Sequence, residues 1–408
     1  MKKTILVIAH RIPFPPDKGD KIRTYNFIRF LAEHYQVTVA CIIDDSEDIK
    51  YVQNLEDLVS KVFYQIKLSS QKKRWAFGAL IKGVSVTQES FYCSKLQAQI
   101  DDFIEADNPD AILSFCTSTC DYLFRSRHSG ELLKKRVLLN DLIDVDSEKW
   151  NQYATKQKGL MKWIYGREAR LLSKLEKQVV DFFDKVFLVT DAEKEVLSKH
   201  ASIGNVESLA NGVDLDYFRC RRENRNNPSS GKVNSKLIFS GAMDYWPNIE
   251  GAVWFVNQIF PQIKKTIPDV SFTIVGRNPT EEVIDLSYVE GVEVTGTVPD
   301  IRSYLSQAAV CVAPLMIARG IQNKVLEAMA MGKPVVATTG AATGTQTTDG
   351  ENIIIADEED RMANELISLL RDSTRQIRIG QNARQYVEVN HSWNSQLIRL
   401  KSLIDSGV

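Results

Sequence analysis

The stretch "GIQNKVLEAMAMGKPVVAT", residues 320–338, sets Lys324 and Glu327 one turn apart, between a glycine loop containing Gly320 and an apolar strand. The unpaired amides at the start of a helix near Asn323, with the positive end of its dipole, can hold an anion such as phosphate. Lys324 adds a point charge at that end, unless it is a solvent-facing helix residue. Glu327 lies beside Val325, Leu326 and Met329, the apolar residues that would hold the helix on a sheet. A charge so placed either complements the helix dipole at a solvated edge or faces a ligand.

Arg277 follows "TIVG" just beyond a strand, where a guanidinium can reach phosphate or simply lie on the surface. "NDLIDVDSEKW" follows the apolar "RVLL" and carries Asp141 and Asp144. A carboxylate there can order a hydroxyl or stabilise developing positive charge, or cap the next helix. The triplets Asp144-Val145-Asp146 and Asp214-Leu215-Asp216 have the form of a metal-binding D-x-D, and Cys116 and Cys120 in "CTSTC" have the look of a metal or redox pair. The cysteines lack a second pair or a nearby histidine, which favours packed thiols.

These residues need a frame. Short apolar runs ("TILVIA", "VTVACII", "AILSF", "RVLLN", "KVFLVT") alternate with helical stretches up to about residue 212, and the order implies a parallel sheet covered on both faces. The polar, turn-rich "RCRRENRNNPSSGKVNS", residues 219–235, reads as a linker, after which the alternation restarts with "KLIFSG" and runs through "VSFTIVG", "VCVAPL" and "PVVAT". Two doubly wound units leave a cleft between them, with ligands beyond the carboxyl ends of the strands. Asp141 and Asp144 are expected to face it.

A chain of 408 residues suits two domains of roughly 200 residues each. Lysine plus arginine (51) balances aspartate plus glutamate (52), so nothing global argues for a nucleic-acid partner. The apolar run at the start is short, no stretch approaches a membrane span, and the six scattered cysteines favour a reducing cytoplasm. Neither half has G-x-G-x-x-G after its first strand, which argues against a dinucleotide dehydrogenase. No Walker loop, H-E-x-x-H or G-x-S-x-G supports the familiar nucleophilic and metal hydrolases.

The ordered set "PPDKGDKIR", "ANGVDLDYF", "FSGAMDYWPN", "IVGRNP", "VEVTGTVPDI" and "NKVLEAMAMGKPVVAT" resembles the family 4 glycosyltransferases of the GT-B fold, nearly over the full length. Within that family it looks closest to bacterial sugar transferases of exopolysaccharide and PEP-CTERM sorting systems. The resemblance implies an α/β, GT-B architecture of two Rossmann-like domains facing across a cleft: residues 1–212 on the acceptor side, 213–385 binding a nucleotide sugar, and a helix over 386–408 returning toward the first domain. It implies transfer of a sugar, with retention, to a glycan or lipid-linked acceptor. Donor-binding roles fall on Glu327, Lys324, Asn323, Gly320, Arg277, Thr297, Val298, Gly241 and Gly19, and catalytic roles on Asp144 and Asp141. The loop of Thr297 and Val298 would pack on the base and offer it backbone hydrogen bonds, and Glu327 would accept from the ribose hydroxyls. Helix dipole and cations replace a metal at the leaving diphosphate in this layout, so neither metal nor cofactor is expected.

The chain departs from the family in two places. Arg319 stands where the first of two glutamates is frequent, and "GAMDYWPN" lacks the usual basic residues, a task that Lys18, Lys21 and Arg23 would share with Lys324 and Arg277. The acceptor side offers "KKRWAFGALIKG", residues 72–83, which fits either peripheral contact with an anionic membrane or a helix packed on the sheet with its lysines outward. An inactive nucleotide-binding scaffold and a nucleotide-sugar epimerase of the same fold are the alternative readings.

Overall fold

The computed structural model describes residues 2–16, 19–68, 72–128, 133, 135–155, 157–219, 234–317 and 321–407, with residues 72–74 and 77 described by their backbone alone. The chain divides into two compact units, Met1–Ala210 with Leu397–Val408, and Asn211–Gln396.

The first unit is built on a seven-stranded parallel sheet in the order β3-β2-β1-β4-β5-β6-β7. Its strands are β1 (Thr4–Ala9), β2 (Gln36–Ile43), β3 (Lys61–Ile66), β4 (Ala111–Phe115), β5 (Val137–Ile143), β6 (Lys185–Leu188) and β7 (Val206–Ser208). β1, β2, β4 and β5 read as near-continuous apolar runs because helices cover both faces, and each buried Leu, Ile or Val contributes about 1.5–3 kcal/mol. β3 is half exposed along its length, so "KVFYQI" carries no such run and escapes detection from sequence.

Between β5 and β6 the chain makes two helices, Asp146–Thr155 and Gly159–Phe182, which pack together through Trp150 and Tyr165 with ring centroids 5.3 Å apart. The second helix buries Leu172, Leu175, Val179 and Val180 toward its end, whereas its first turns are exposed. The last helix, Trp393–Ser406, ends in this unit: Lys3 Nζ donates to the carbonyl of Ile404 (2.8 Å) and Tyr35 donates to Asp405 Oδ1 (2.8 Å).

The second unit has a six-stranded parallel sheet, β10-β9-β8-β11-β12-β13, formed by β8 (Lys236–Ser240), β9 (Ser271–Val275), β10 (Val292–Val294), β11 (Val310–Ala313), β12 (Val335–Ala337) and β13 (Ile354–Ile355). The return to the first unit begins at Leu397 and not at 386. Residue 386 lies inside the continuous helix Ser373–Asn390, whose Ile379, Ala383 and Val387 belong to the second core.

Strand order reverses between β1 and β4 in the first sheet and between β8 and β11 in the second. Ligands of open parallel sheets gather at such switch points, beyond the carboxyl ends.

Candidate functional site

At the switch point of the second sheet the loops after β8 and β9 are laced together. Gly241 N donates to Val275 O (3.0 Å) and Met243 N to Arg277 O (2.9 Å). A Cβ on Gly276 would stand 1.6 Å from the carbonyl oxygen of Gly241, so only glycine lets the two loops approach this closely. The β8 loop enters the helix Trp246–Trp254, from which the buried Asn248 donates through Nδ2 to Ala242 O (2.8 Å).

Lys324 reaches this loop from the helix Asn323–Ala330. Its ammonium donates to Asn248 Oδ1 and lies 5.0 Å from the centroid of the Phe239 ring. A Cβ on Gly241 would meet Asn248 Nδ2 at 2.8 Å and Lys324 Nζ at 3.1 Å, which explains glycine in "FSGAMDY". Burial lowers the Lys324 ammonium to about 8, against the pull of Glu327. Burial likewise raises the half-buried Glu327 carboxyl to about 7, with Lys324 opposing. Among the described residues no hydrogen bond or ion pair of the Glu327 carboxylate is found, while Val325, Leu326 and Met329 are buried as expected and hold its helix on the sheet.

Tyr217, from the junction "NGVDLDYF", is a neighbour that the sequence did not announce. Burial raises its phenol, followed by Asp300, and Glu327 adds to the effect. The Arg302 guanidinium stacks 3.9 Å from its ring centroid and forks onto Asp300. Arg384 fastens the junction by donating to Phe218 O (2.8 Å) and to Ala330 O at the end of the Glu327 helix. Asp214 of the second D-x-D accepts from the amides of Asp216 (3.0 Å) and Tyr217 (2.9 Å) and so shapes that turn.

Arg277 is exposed and lies near Asp244, whose carboxyl is lowered first by a hydrogen bond from Asn278 and also by the Arg277 charge. Thr297 is exposed, and Val298 packs partly against the second core. Gly320 and Arg319 lie outside the described residues, as does Lys18.

At the switch point of the first sheet, His10 follows β1 and Cys116 follows β4, and Cys116 Sγ lies 3.3 Å from His10 Nδ1. His10 Nε2 is 2.9 Å from Asp20 Oδ2, on the first turn of the helix Gly19–His34, and Arg11 Nε is 3.2 Å from the same oxygen. Burial opposes ionisation of Asp20, but His10 and Arg11 together hold its carboxyl far below the ordinary range. Cys116 has φ +67°, and burial pushes its thiol well above the usual value, helped by Asp146, Asp141 and Asp20. The thiolate is therefore disfavoured in this setting, although Cys116 itself is only partly covered. His10 and its partner Cys116 are 106 residues apart in the sequence, so no local signal joins them. At Gly19 an added Cβ would meet nothing within 4 Å, so packing alone does not require glycine there.

The expectation that Asp141 and Asp144 face the cleft is corrected for Asp141. Its carboxylate is fully buried and gripped by Arg23, with Nε to Oδ2 at 2.6 Å and Nη2 to Oδ1 at 2.9 Å. Asp141 lies within β5, which is buried on both faces, and a buried carboxylate requires this pairing. The same bond removes Arg23 from the phosphate-binding candidates. Lys21 leaves them too, because its buried ammonium is 2.6 Å from Asp48 Oδ2.

Asp144 is placed differently. Ile143 adopts φ +71°, and Asp144 N donates back to Leu142 O (2.9 Å), a γ-turn in a β-branched residue that costs about 1–3 kcal/mol. The turn leaves Asp144 exposed, while the protein around its carboxyl raises its proton affinity against Lys149 and Arg23. Beside it, burial raises Asp146 to about 6. The following amides are occupied: Glu193 accepts from Val145 N (2.7 Å) and the buried Glu176 from Ser147 N (2.8 Å).

Two doubly wound units, each with its candidate residues at the switch point of a parallel sheet, constitute the GT-B fold. Residues 234–372, which span the Lys324 and Glu327 site, match the family model "Glycosyl transferases group 1". Sucrose-phosphate synthase from Thermosynechococcus elongatus superposes with a TM-score of 0.66 at 15% identity over 99% of both chains. HepE from Anabaena, solved in complex with UDP, matches with a TM-score of 0.66 at 15% identity over 100% of both chains. A curated relative, an uncharacterized 44.6 kDa protein in the cps region of Klebsiella pneumoniae, is 21% identical over 401 residues, covering 95% of this chain and 96% of its own.

Proposed function

We propose that this protein is a glycosyltransferase of family 4 type that moves a sugar from a nucleotide-sugar donor, with retention, to a glycan or lipid-linked acceptor in surface or exopolysaccharide synthesis. The association with PEP-CTERM systems is proposed on the motifs alone. The observation that carries the reading is the pairing of Lys324, held by Asn248, with the half-buried Glu327 at the switch point of the second sheet. The reading is supported by HepE, which has been solved with UDP-glucose, and by the uncharacterized relative in a cps region.

In this reading the first amides of the helix Asn323–Ala330 and the Lys324 ammonium hold the diphosphate, so that charge developing on the leaving group is met by fixed dipoles and a cation without a metal. Glu327 accepts from two ribose hydroxyls, each charge-assisted bond contributing about 1.5–3 kcal/mol. Asp144, raised on its strained turn, orders the acceptor hydroxyl or stabilises positive charge at the sugar.

The test is calorimetric titration with UDP, GDP, ADP and their nucleosides. Glu327→Gln should melt no lower than the parent, since burial disfavours the charged carboxylate, and should weaken nucleoside and nucleotide alike by roughly tenfold or more, about 1.4 kcal/mol. Lys324→Ala should weaken the diphosphate far more than the nucleoside. Parent-like binding by Glu327→Gln would remove the ribose assignment.

A further inference from the structure

The hairpin between β5 and β6 carries a feature that sugar transfer does not use. Along the helix Gly159–Phe182, Leu160, Trp163, Arg167, Arg170 and Lys174 recur at spacings of three and four and so share one face. Its beginning is apolar and exposed: Leu160 is 71% exposed and Trp163 54%, with Met161 beside them at 41%. Its continuation is cationic and opens on a cavity of ≈ 650 Å³ lined by Ser147, Arg167, Arg170, Lys174, Lys199 and His200.

The charge balance here is one-sided. From Lys158 to Lys174 the helix and its approach carry Lys158, Lys162, Arg167, Arg170 and Lys174 against one acid, Glu168, which is buried and accepts from the amides of Val86 and Thr87 (both 2.9 Å). Glu148 is the acidic residue of the cavity wall, and the buried Glu176 behind it is engaged by Ser147 and by His200 Nε2 (2.8 Å). Arg167 also donates to Val84 O (3.2 Å), which ties this helix to the end of the helix Lys72–Lys82, where Ile81 is 72% exposed.

We propose that this hairpin docks on a bilayer bearing anionic phospholipid. Leu160, Met161 and Trp163 enter the interface, and Arg167, Arg170, Lys174 and Lys199 hold lipid phosphates. The order of the groups fits the order of layers in a membrane: at 1.5 Å per residue, Leu160 and Arg167 are about 10 Å apart along the helix, close to the roughly 5–10 Å that an apolar face sinks below the headgroups. A second copy of the chain fits this face poorly, because a symmetric contact would set cations against cations. No described helix is long and apolar enough to cross a membrane, so the contact is peripheral. Of the expected membrane segment, residues 72–83, Leu80 and Ile81 are exposed beside this helix, and the side chains of residues 72–74 and 77 lie outside the described ones.

The inference stands apart from the nucleotide reading, and its test uses the whole chain in vesicle flotation. The parent protein should float with phosphatidylglycerol vesicles and not with phosphatidylcholine alone, losing the contact at about 0.5 M salt. Leu160→Ser/Trp163→Ser and Arg170→Glu/Lys174→Glu should each lower the bound fraction about tenfold, while parent-like circular dichroism and urea melts show that both variants are folded. Equal flotation of parent and variants, or none of the parent, overturns the proposal. So does full release by inorganic phosphate at constant ionic strength, which would make this a free-phosphate site. A dimer in sedimentation that Leu160→Ser/Trp163→Ser abolishes would assign the face to a second copy instead.

Discussion

Lys324 donates to Oδ1 of Asn248, the side chain whose amide nitrogen holds the carbonyl of Ala242. The cation is thereby fixed against the loop after β8 before any ligand arrives. Such pre-ordering reduces the side-chain entropy that an anion would otherwise have to remove.

The fixed geometry depends on glycine. Gly241→Ala should displace the Asn248 amide, whose Nδ2 would stand 2.8 Å from the new Cβ, and weaken nucleoside diphosphate about tenfold or more with the fold kept. Gly276→Ala sets a Cβ 1.6 Å from a backbone oxygen and should instead destabilise the second unit by more than about 4 kcal/mol. Urea melts alongside titration calorimetry separate the two effects.

Binding should depend on pH with a sign that follows from burial. The Glu327 carboxyl is raised to about 7, so nucleoside affinity should grow as pH rises through that value and the carboxylate forms. The Lys324 ammonium is lowered to about 8, so diphosphate affinity should fall above that value as the charge is lost. Glu327→Gln should flatten the lower limb and Lys324→Ala the upper one. Between about pH 4.5 and 7 the folded chain keeps a Glu327 proton that the unfolded chain has released, so stability declines as pH rises through this window. Calorimetric melts of the parent and Glu327→Gln proteins measure that slope.

Asp141 should behave as a structural residue. Asp141→Ala strands the buried Arg23 guanidinium and should cost about 3–5 kcal/mol of stability, read as a lower denaturation midpoint. Arg23→Met combined with Asp141→Leu should recover much of the loss. A midpoint unchanged in Asp141→Ala, with sugar transfer abolished, would return Asp141 to a catalytic role.

Cys116 should resist alkylation in the folded protein. Burial, reinforced by Asp146, Asp141 and Asp20 against Arg11, raises the proton affinity of its thiol. Iodoacetamide near pH 8 should therefore label it far more slowly than in urea, as read by mass spectrometry of its peptide. Rapid labelling of the native protein would show a thiolate, and with it a reactive role that the present geometry does not support.

The sequence by itself determined the two α/β units, most of their strands and the Lys324 and Glu327 helix. These depend on local apolar runs and on residues within one helical turn, information that lies within a few positions of itself. It could not show that Asp141 turns inward while Asp144, three residues on, turns outward. That difference rests on the end of β5 at Ile143, on Arg23 at 118 positions' separation and on the positive φ of Ile143. Nor could it bring Cys116 to His10, Asn248 to Lys324 or Tyr217 toward Glu327. Only the parallel order of the strands, reversing at β1/β4 and at β8/β11, places such distant residues at one end of each sheet.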